Sequence, residues 1–158
     1  MKKLHIQGAI ISAGIALLVG MLSGLLSGNQ GTVYQSLRLP PYSPPPWLFG
    51  VAWPILYILM GISAYIIYIS IANSHDKNLA LITYTVQLFI NFSWSIVFFR
   101  YEEFGWAVVV LALLLFLVAL TLMFFYKISR LAALFIIPYF IWLLIAYYLN
   151  IGVFVLNP

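Results

Sequence analysis

The chain has 158 residues, of which 65% are hydrophobic and only 6% charged, and its formal net charge is +4. A mean hydropathy of +1.11 excludes a water-soluble domain and indicates an integral membrane protein. The seven basic residues form no stripe that would suggest nucleic-acid binding, and the lack of cysteine excludes disulfides and thiolate metal sites.

Five apolar stretches are each long enough to cross a bilayer, which takes about 20 residues of helix. The predicted spans are residues 6–27, 47–72, 79–99, 106–126 and 131–156. They predict one all-α membrane domain over residues 1–158, a bundle of five transmembrane helices with mostly short loops. The first stretch also allows a second interpretation, a secretory signal, because two lysines precede it and small residues lie near its end.

The first span carries a stripe of small residues at every fourth position. They are Gly8, Ser12, Ala16, Gly20, Gly24 and Gly28. Such a stripe lets another helix approach closely, because helix association in lipid depends on backbone proximity and packing. The partner is either a helix of the same chain or a second copy in a homodimer.

The connection between the first two spans, residues 28–46, is longer than the others. Its polar first half can form a short helix. Its second half, "PPYSPPP", is restricted to extended or polyproline geometry by the fixed φ of proline. Pro46 then begins the second span, where its missing N–H costs nothing. The loop is therefore either a shaped lid on the bundle or a rigid spacer.

The positions of the basic residues predict an orientation. One side of the membrane receives Lys2, Lys3, Lys77, Lys127 and Arg130, and the other receives Arg38 and Arg100. The positive-inside rule then places the N-terminus in the cytoplasm and the proline-rich loop outside, in a multi-pass protein of the cell membrane. No His, Asp, Glu, Lys or Arg lies inside a predicted span, which disfavours ion-driven transport and a haem bound by a buried His.

Three spans carry aromatic and polar side chains on one helical face. The sets are Trp53, Tyr57 and Gly61 in the second span, Gln87, Asn91, Trp94 and Ser95 in the third, and Tyr139, Trp142, Ala146 and Asn150 in the fifth. An unpaired buried amide costs about 1–3 kcal/mol, so these faces should point into the bundle. There they either join helices by hydrogen bonds or line a pocket for a flat, apolar, partly polar ligand. Trp47 and Trp106 are expected to be interfacial anchors.

The sequence resembles the translocator protein family, also called tryptophan-rich sensory proteins or peripheral-type benzodiazepine receptors. Four segments carry the resemblance in matching order: "PPWLFGVAWPILY" (45–57), "QLFINFSWSIVFF" (87–99), "GWA" (105–107) and "PYFIWLLIAYYLN" (138–150). The resemblance covers essentially the whole chain. It implies a five-helix membrane protein, homodimeric, that binds porphyrins and drug-like apolar ligands beneath its first loop.

The resemblance also implies roles for particular residues. The ligand site would include Tyr34, Trp53, Asn91, Trp94, Trp106, Trp142 and Ala146, and the inward faces add Tyr57 and Gln87. Trp53 and Trp142 would promote light- and oxygen-dependent breakdown of protoporphyrin IX, which is ligand or substrate, with no tightly bound cofactor and no metal. The alternatives are a transporter or exchanger of tetrapyrroles or lipids, and a ligand-responsive sensor.

The chain departs from the animal members at two places. Their sterol motif in the fifth span needs a basic residue after its tyrosine, whereas Tyr147 and Tyr148 are followed only by "LNIGVFVLNP". Sterol binding is therefore not expected there, although Leu122, Tyr126 and Arg130 match a looser sterol pattern that is frequent by chance. Animal members also carry an acidic residue where this chain has Val110.

Overall fold

The fold is all-α over residues 5–158, the part of the chain that the computed structural model describes. The helices are α1 (Ile6–Leu26), α2 (Gln30–Ser36), α3 (Pro46–Tyr68), α4 (Ser74–Ser95), α5 (Phe104–Ile128) and α6 (Arg130–Leu156), and a π-helical turn, Ile96–Arg100, continues α4. Five of these segments, all except α2, are long and apolar enough to span a membrane. The predicted five-helix membrane bundle with a long structured loop after its first span is confirmed.

The bundle is built around α3 and α5. Helix α3 packs against α1 and α6, and helix α5 packs against α4 and α6. The Ser63 hydroxyl on α3 donates to the Ala132 carbonyl on α6 at 2.7 Å, which joins the two helices at one end. Every Asp, Glu, Lys, Arg and His of the described chain lies in a loop or in the terminal turn of a helix, as predicted.

The small-residue stripe of α1 packs against α3 of the same chain. The Ser12 hydroxyl donates to the Gly61 carbonyl at 2.6 Å. Gly8 and Gly20 lie directly against tyrosine rings of α3, where a Cβ would overlap them. The intramolecular interpretation is therefore confirmed for these residues. Gly28 is a correction, because α1 ends at Leu26 and Gly28 lies beyond it with a φ of 77°.

Two helix boundaries differ from the predicted spans by more than two residues. Most of the predicted loop at residues 73–78 is helical, because α4 begins at Ser74. Asn73 caps it, because its Oδ1 accepts from the Asp76 backbone N–H at 2.8 Å. A search for apolar stretches cannot find such a polar, capped first turn. The second span ends at Tyr68 rather than at residue 72, because the Ser70 N–H and hydroxyl both donate to the Ile67 carbonyl and close a turn there.

The first loop divides as predicted into a short helix, α2, and a proline segment. Pro45 has polyproline geometry and Pro46 begins α3. The expectation of a fully extended segment is wrong at Tyr42, whose φ of 61° places it in the left-handed region within a turn. The Ser43 hydroxyl closes this turn by donating to the Pro40 carbonyl at 2.6 Å.

The alternating helices place Lys77, Lys127 and Arg130 at one end of the bundle and Arg38 and Arg100 at the other. This separation agrees with the predicted grouping. Lys2 and Lys3, which contributed to the same prediction, lie outside the described residues. The orientation relative to the membrane stays a prediction.

Candidate functional site

A cavity of about 300 Å³ lies beneath α2, at the end of the bundle where α3 begins. We call it the aromatic cavity. Its lining is Leu17, Gly20, Met21, Ser23 and Gly24 from α1, Gln30, Gly31 and Tyr34 from α2, Pro46, Phe49, Gly50, Trp53, Pro54 and Tyr57 from α3, and Asn91, Trp94, Ser95 and Phe99 from α4 and its π-turn. None of these side chains is an acid, a base, a histidine or a cysteine. The cavity therefore suits an apolar molecule with few polar groups.

Trp53 is the centre of the aromatic cluster at the cavity wall. Its ring centroid lies 5.8 Å from that of Tyr57 and 6.2 Å from that of Trp94. Tyr139 and Trp142 lie behind it, each at 6.4 Å. These distances are in the range of favourable aromatic pairs, which contribute about 0.5–1.5 kcal/mol each. Trp53 is thus held between three helices with its exposed part toward the cavity.

Trp142 lies in the second layer of the cluster. Its ring meets Trp53 almost at a right angle, at 88°, and packs on Phe49 at 5.5 Å. It does not line the aromatic cavity. Its indole Nε1 is buried and has no hydrogen-bond partner among the described residues. A buried donor without a partner costs about 1–3 kcal/mol.

A buried hydrogen-bond chain lies directly below the cavity. The Asn91 amide nitrogen donates to the Tyr139 hydroxyl at 2.8 Å, and that hydroxyl donates to the Gln87 side-chain oxygen at 3.0 Å. All three residues are buried. The chain joins α4 to α6 at membrane depth and leaves Asn91 as the polar group in the floor of the cavity.

A second buried link fixes the other tryptophan of the wall. The Trp94 indole donates to the Asn150 side-chain oxygen at 3.0 Å, and the Asn150 amide nitrogen donates to the Phe104 carbonyl at 3.1 Å. The inward orientation predicted for both polar faces is confirmed. Their two interpretations are not exclusive, because Asn91 and Trp94 both join helices and line the cavity.

The roof of the cavity is α2. Tyr34 is almost fully buried and its ring packs on Phe49 at 5.1 Å. Burial raises the pKa of the Tyr34 phenol, with contact to Ser43 opposing the shift, so the hydroxyl keeps its proton at neutral pH. It donates that proton to the Pro44 carbonyl at 2.7 Å. The Gln30 amide closes the far side by donating to the Ser95 hydroxyl at 3.2 Å.

The structure separates the predicted site residues into three groups. The aromatic cavity is lined by Tyr34, Trp53, Tyr57, Asn91 and Trp94. The core behind it holds Gln87, Trp142 and Ala146. Trp106 lies apart from both, on the outside of α5 with 68% of its surface exposed. The ligand-binding and catalytic roles of all of these residues stay predictions.

Phe49 was not predicted as a site residue, yet it lines the cavity and contacts both Tyr34 and Trp142. The sequence does indicate this position, because Phe49, Trp53 and Tyr57 follow one another at four-residue steps and so share one face of α3. Gly20 and Gly24 were predicted only as packing residues, yet they also line the cavity. The absent side chain leaves free space at Gly24, where a Cβ would meet only the Gln30 amide at 3.8 Å, whereas Gly20 is packed against the Tyr57 ring.

These features define a class: a membrane-spanning bundle of five helices with an internal, roofed cavity built around tryptophans. The sequence profile of the TspO/MBR family matches residues 12–156. The chain belongs to the TspO/MBR family.

Three relatives show how far the similarity extends. Protein CrtK of Rhodobacter capsulatus is 38% identical over 130 residues, which cover 82% of this chain and 81% of that protein. The tryptophan-rich protein TspO of Archaeoglobus fulgidus is 37% identical over 98% of this chain and 99% of its own length. The human translocator protein is 32% identical over 91% of this chain and 85% of its own. The resemblance described from the sequence is therefore confirmed at the level of the family.

Proposed function

We propose that the protein binds a metal-free porphyrin in the aromatic cavity and promotes its breakdown in the presence of light and dioxygen. The observation that carries the proposal is the wall formed by Trp53 and Trp94 around the Asn91 amide. Flat indole rings stack on a flat macrocycle, and the amide binds one of its polar groups. Since the lining holds no His or Cys, the ligand is bound without an axial imidazole or thiolate.

The size of the cavity limits how such a ligand binds. Its volume of about 300 Å³ is at the lower end of the range for ligand pockets. A porphyrin macrocycle is larger than this. Full burial therefore requires α2 to move outward, and without that movement part of the ring projects from the mouth.

The chemistry needs a one-electron donor close to the macrocycle. Light excites the ring, an indole of the protein transfers one electron to it, and the reduced ring passes that electron to dioxygen. Trp53 is the donor at the cavity wall, and Trp142, at 6.4 Å behind it, returns an electron to the oxidised Trp53. The macrocycle then gives one electron to the oxidised indole pair, and the resulting porphyrin radical cation combines with superoxide. Both indoles are thereby regenerated, and the net reaction adds dioxygen to the porphyrin.

Illumination of the purified protein with protoporphyrin IX tests this proposal. The Trp53→Phe and Trp142→Phe variants keep an aromatic ring in place but lose the readily oxidised indole. We expect them to bind the porphyrin with similar affinity and to consume it at least about tenfold more slowly, as followed by its absorbance.

Trp47→Phe is the matched control, because Trp47 is 67% exposed and does not line the aromatic cavity. It should consume porphyrin at the wild-type rate. Equal rates in all four proteins would remove the catalytic role of Trp53 and Trp142. A wild-type protein that binds no protoporphyrin IX would remove the proposal altogether.

The names of two relatives motivate the other candidates, since one is called a translocator protein and another a tryptophan-rich sensory protein. Transfer of a tetrapyrrole across the membrane would appear as flux in reconstituted vesicles in the dark. It would survive Trp142→Phe, because that residue lies outside the lining. The homodimer that the resemblance implies would appear as crosslinking between copies. A sensor would appear as a ligand-dependent change in that crosslinking.

A further inference from the structure

A second cavity, of about 790 Å³, lies at the opposite end of the bundle from the aromatic cavity. It is a groove between the turn that joins α3 to α4 and the turn that joins α5 to α6. Its floor is apolar, with Ile66 and Phe124, and its open edge carries Ile71 and Leu79, which are 78% and 40% exposed. Because the apolar spans end here, the groove opens at the level of the lipid headgroups.

Two side chains of opposite charge line this groove. Asp76 belongs to the first turn of α4 and Lys127 to the last turn of α5, and both are exposed. No ion pair joins them. One oxygen of Asp76 accepts from the Asn73 amide at 2.6 Å, and no other described residue hydrogen-bonds to its side chain. The groove therefore offers one cation and one anion above an apolar floor.

The other charges at this end are directed elsewhere. The Lys77 ammonium contacts the Ser70 carbonyl at 3.4 Å. The Arg130 guanidinium lies over the Tyr126 ring, 5.7 Å from its centroid. Neither lines the groove. Among the described residues, Lys127 is thus the only basic residue of the lining and Asp76 the only acidic one.

We propose that this groove binds the headgroup of phosphatidylethanolamine. The Lys127 ammonium binds the phosphodiester, and the Asp76 carboxylate accepts hydrogen bonds from the primary ammonium of the lipid. The acyl chains leave over Ile71 and Leu79 into the bilayer. This inference does not depend on porphyrin binding.

The chemistry of the two charges distinguishes this lipid from its neighbours in a membrane. The trimethylammonium of phosphatidylcholine carries no N–H and cannot hydrogen-bond to Asp76. Phosphatidylglycerol has no cation, so its binding would leave the Asp76 carboxylate beside a second anion. Of these three headgroups, only ethanolamine satisfies both residues.

Both residues also have a local structural role. Asp76 is the third helical residue of α4 and completes the reciprocal cap with Asn73, and Lys127 interacts favourably with the C-terminal dipole of α5. These roles predict changes in stability when the residues are substituted. These structural roles do not predict that the protein binds one lipid more tightly than another. The relative affinities for different lipids are therefore the informative measurement.

The full chain, purified in detergent and freed of lipid, is titrated with short-chain phosphatidylethanolamine, phosphatidylcholine and phosphatidylglycerol, and binding is followed by native mass spectrometry. We expect the ethanolamine lipid to bind most tightly. Lys127→Ala should weaken it about fivefold, the contribution of one basic residue near a membrane surface. Asp76→Asn should bring the ethanolamine and choline lipids to equal affinity.

Arg38→Ala and Glu102→Gln are the matched controls, because these charges lie at the other end of the bundle. They should keep the preference, and circular dichroism checks that every variant is folded. The proposal is overturned if the wild-type protein binds the three lipids equally or prefers phosphatidylcholine or phosphatidylglycerol. It is also overturned if Asp76→Asn keeps the wild-type preference, or if Lys127→Ala keeps the wild-type affinity for the ethanolamine lipid. Equal binding of water-soluble glycerophosphoethanolamine would also overturn it, since the apolar floor would then play no part.

Discussion

At the scale of single residues, Asn150 joins three helices through one buried side chain. It lies on α6, accepts from the Trp94 indole of α4 and donates to the backbone at the start of α5. Its side chain is completely buried. One amide thus joins a cavity tryptophan on α4 to the first turn of α5.

Asn150→Ala should therefore destabilise the protein by about 1–3 kcal/mol, because it leaves the buried Trp94 N–H without a partner and removes a second hydrogen bond to the Phe104 carbonyl. Thermal unfolding in detergent measures the effect. Asn78→Ala is the control, since Asn78 is far from this link, in the first turns of α4 at the other end of the bundle. If both substitutions shift the midpoint equally, the Asn150 hydrogen bonds contribute nothing specific.

At the scale of the helices, the contact between α1 and α3 depends on a missing side chain. A Cβ on Gly61 would overlap backbone atoms of Ser12 and Ala13 on α1. Backbone atoms cannot rotate out of the way as a side chain can. The two helices would have to separate, and the Ser12 hydrogen bond would be lost.

We expect Gly61→Ala to cost about 1–3 kcal/mol in the free energy of unfolding through this overpacking. Gly14→Ala is the matched control on α1, since no neighbouring atom lies within 4 Å of the position that its methyl group would take. There the gain in helix propensity should stabilise the protein by about 0.5–1 kcal/mol. The two Gly→Ala substitutions should thus change the free energy of unfolding in opposite directions, as measured by denaturation in detergent. A change in the same direction would contradict the close α1–α3 packing.

At the scale of the whole molecule, the first loop is attached to the last helix. The Asn157 side chain both accepts from the Arg38 backbone N–H and donates to the Arg38 carbonyl, each at 3.0 Å and across 119 residues of sequence. The Tyr148 hydroxyl donates to the Pro41 carbonyl at 2.8 Å. Gly152 lets the Pro40 ring lie against α6. The proline segment is therefore fixed on α6, while α2 forms the roof.

Asn157→Ala should remove the partner of the Arg38 amide and accelerate its hydrogen exchange. The Thr32 amide, which donates to Asn29 at the start of α2, is the internal reference and should exchange at an unchanged rate. Hydrogen exchange followed by mass spectrometry or NMR measures both. An unchanged Arg38 rate would show that the loop is held by other contacts.

The structural features that can be predicted from the sequence are those that a single physical quantity decides. Helix number follows from the length of apolar stretches, and the inward faces of α4 and α6 follow from the cost of exposing amides to lipid. Features that depend on contacts with residues outside the local pattern cannot be predicted in this way. The start of α4, for example, depends on the Asn73 cap, which lies outside any apolar stretch.

The amino-acid sequence by itself determined that this protein spans a membrane five times and that its tryptophans, amides and glycines fall on particular helical faces, because these properties are periodic along the chain. Only the tertiary structure decided that Trp53, rather than Trp142, lines the aromatic cavity, and that Asn150 binds the Trp94 indole. It also brought Asp76 and Lys127 to one groove. The physical reason is that helix crossing and rotation depend on contacts between residues far apart in sequence, which no local pattern contains.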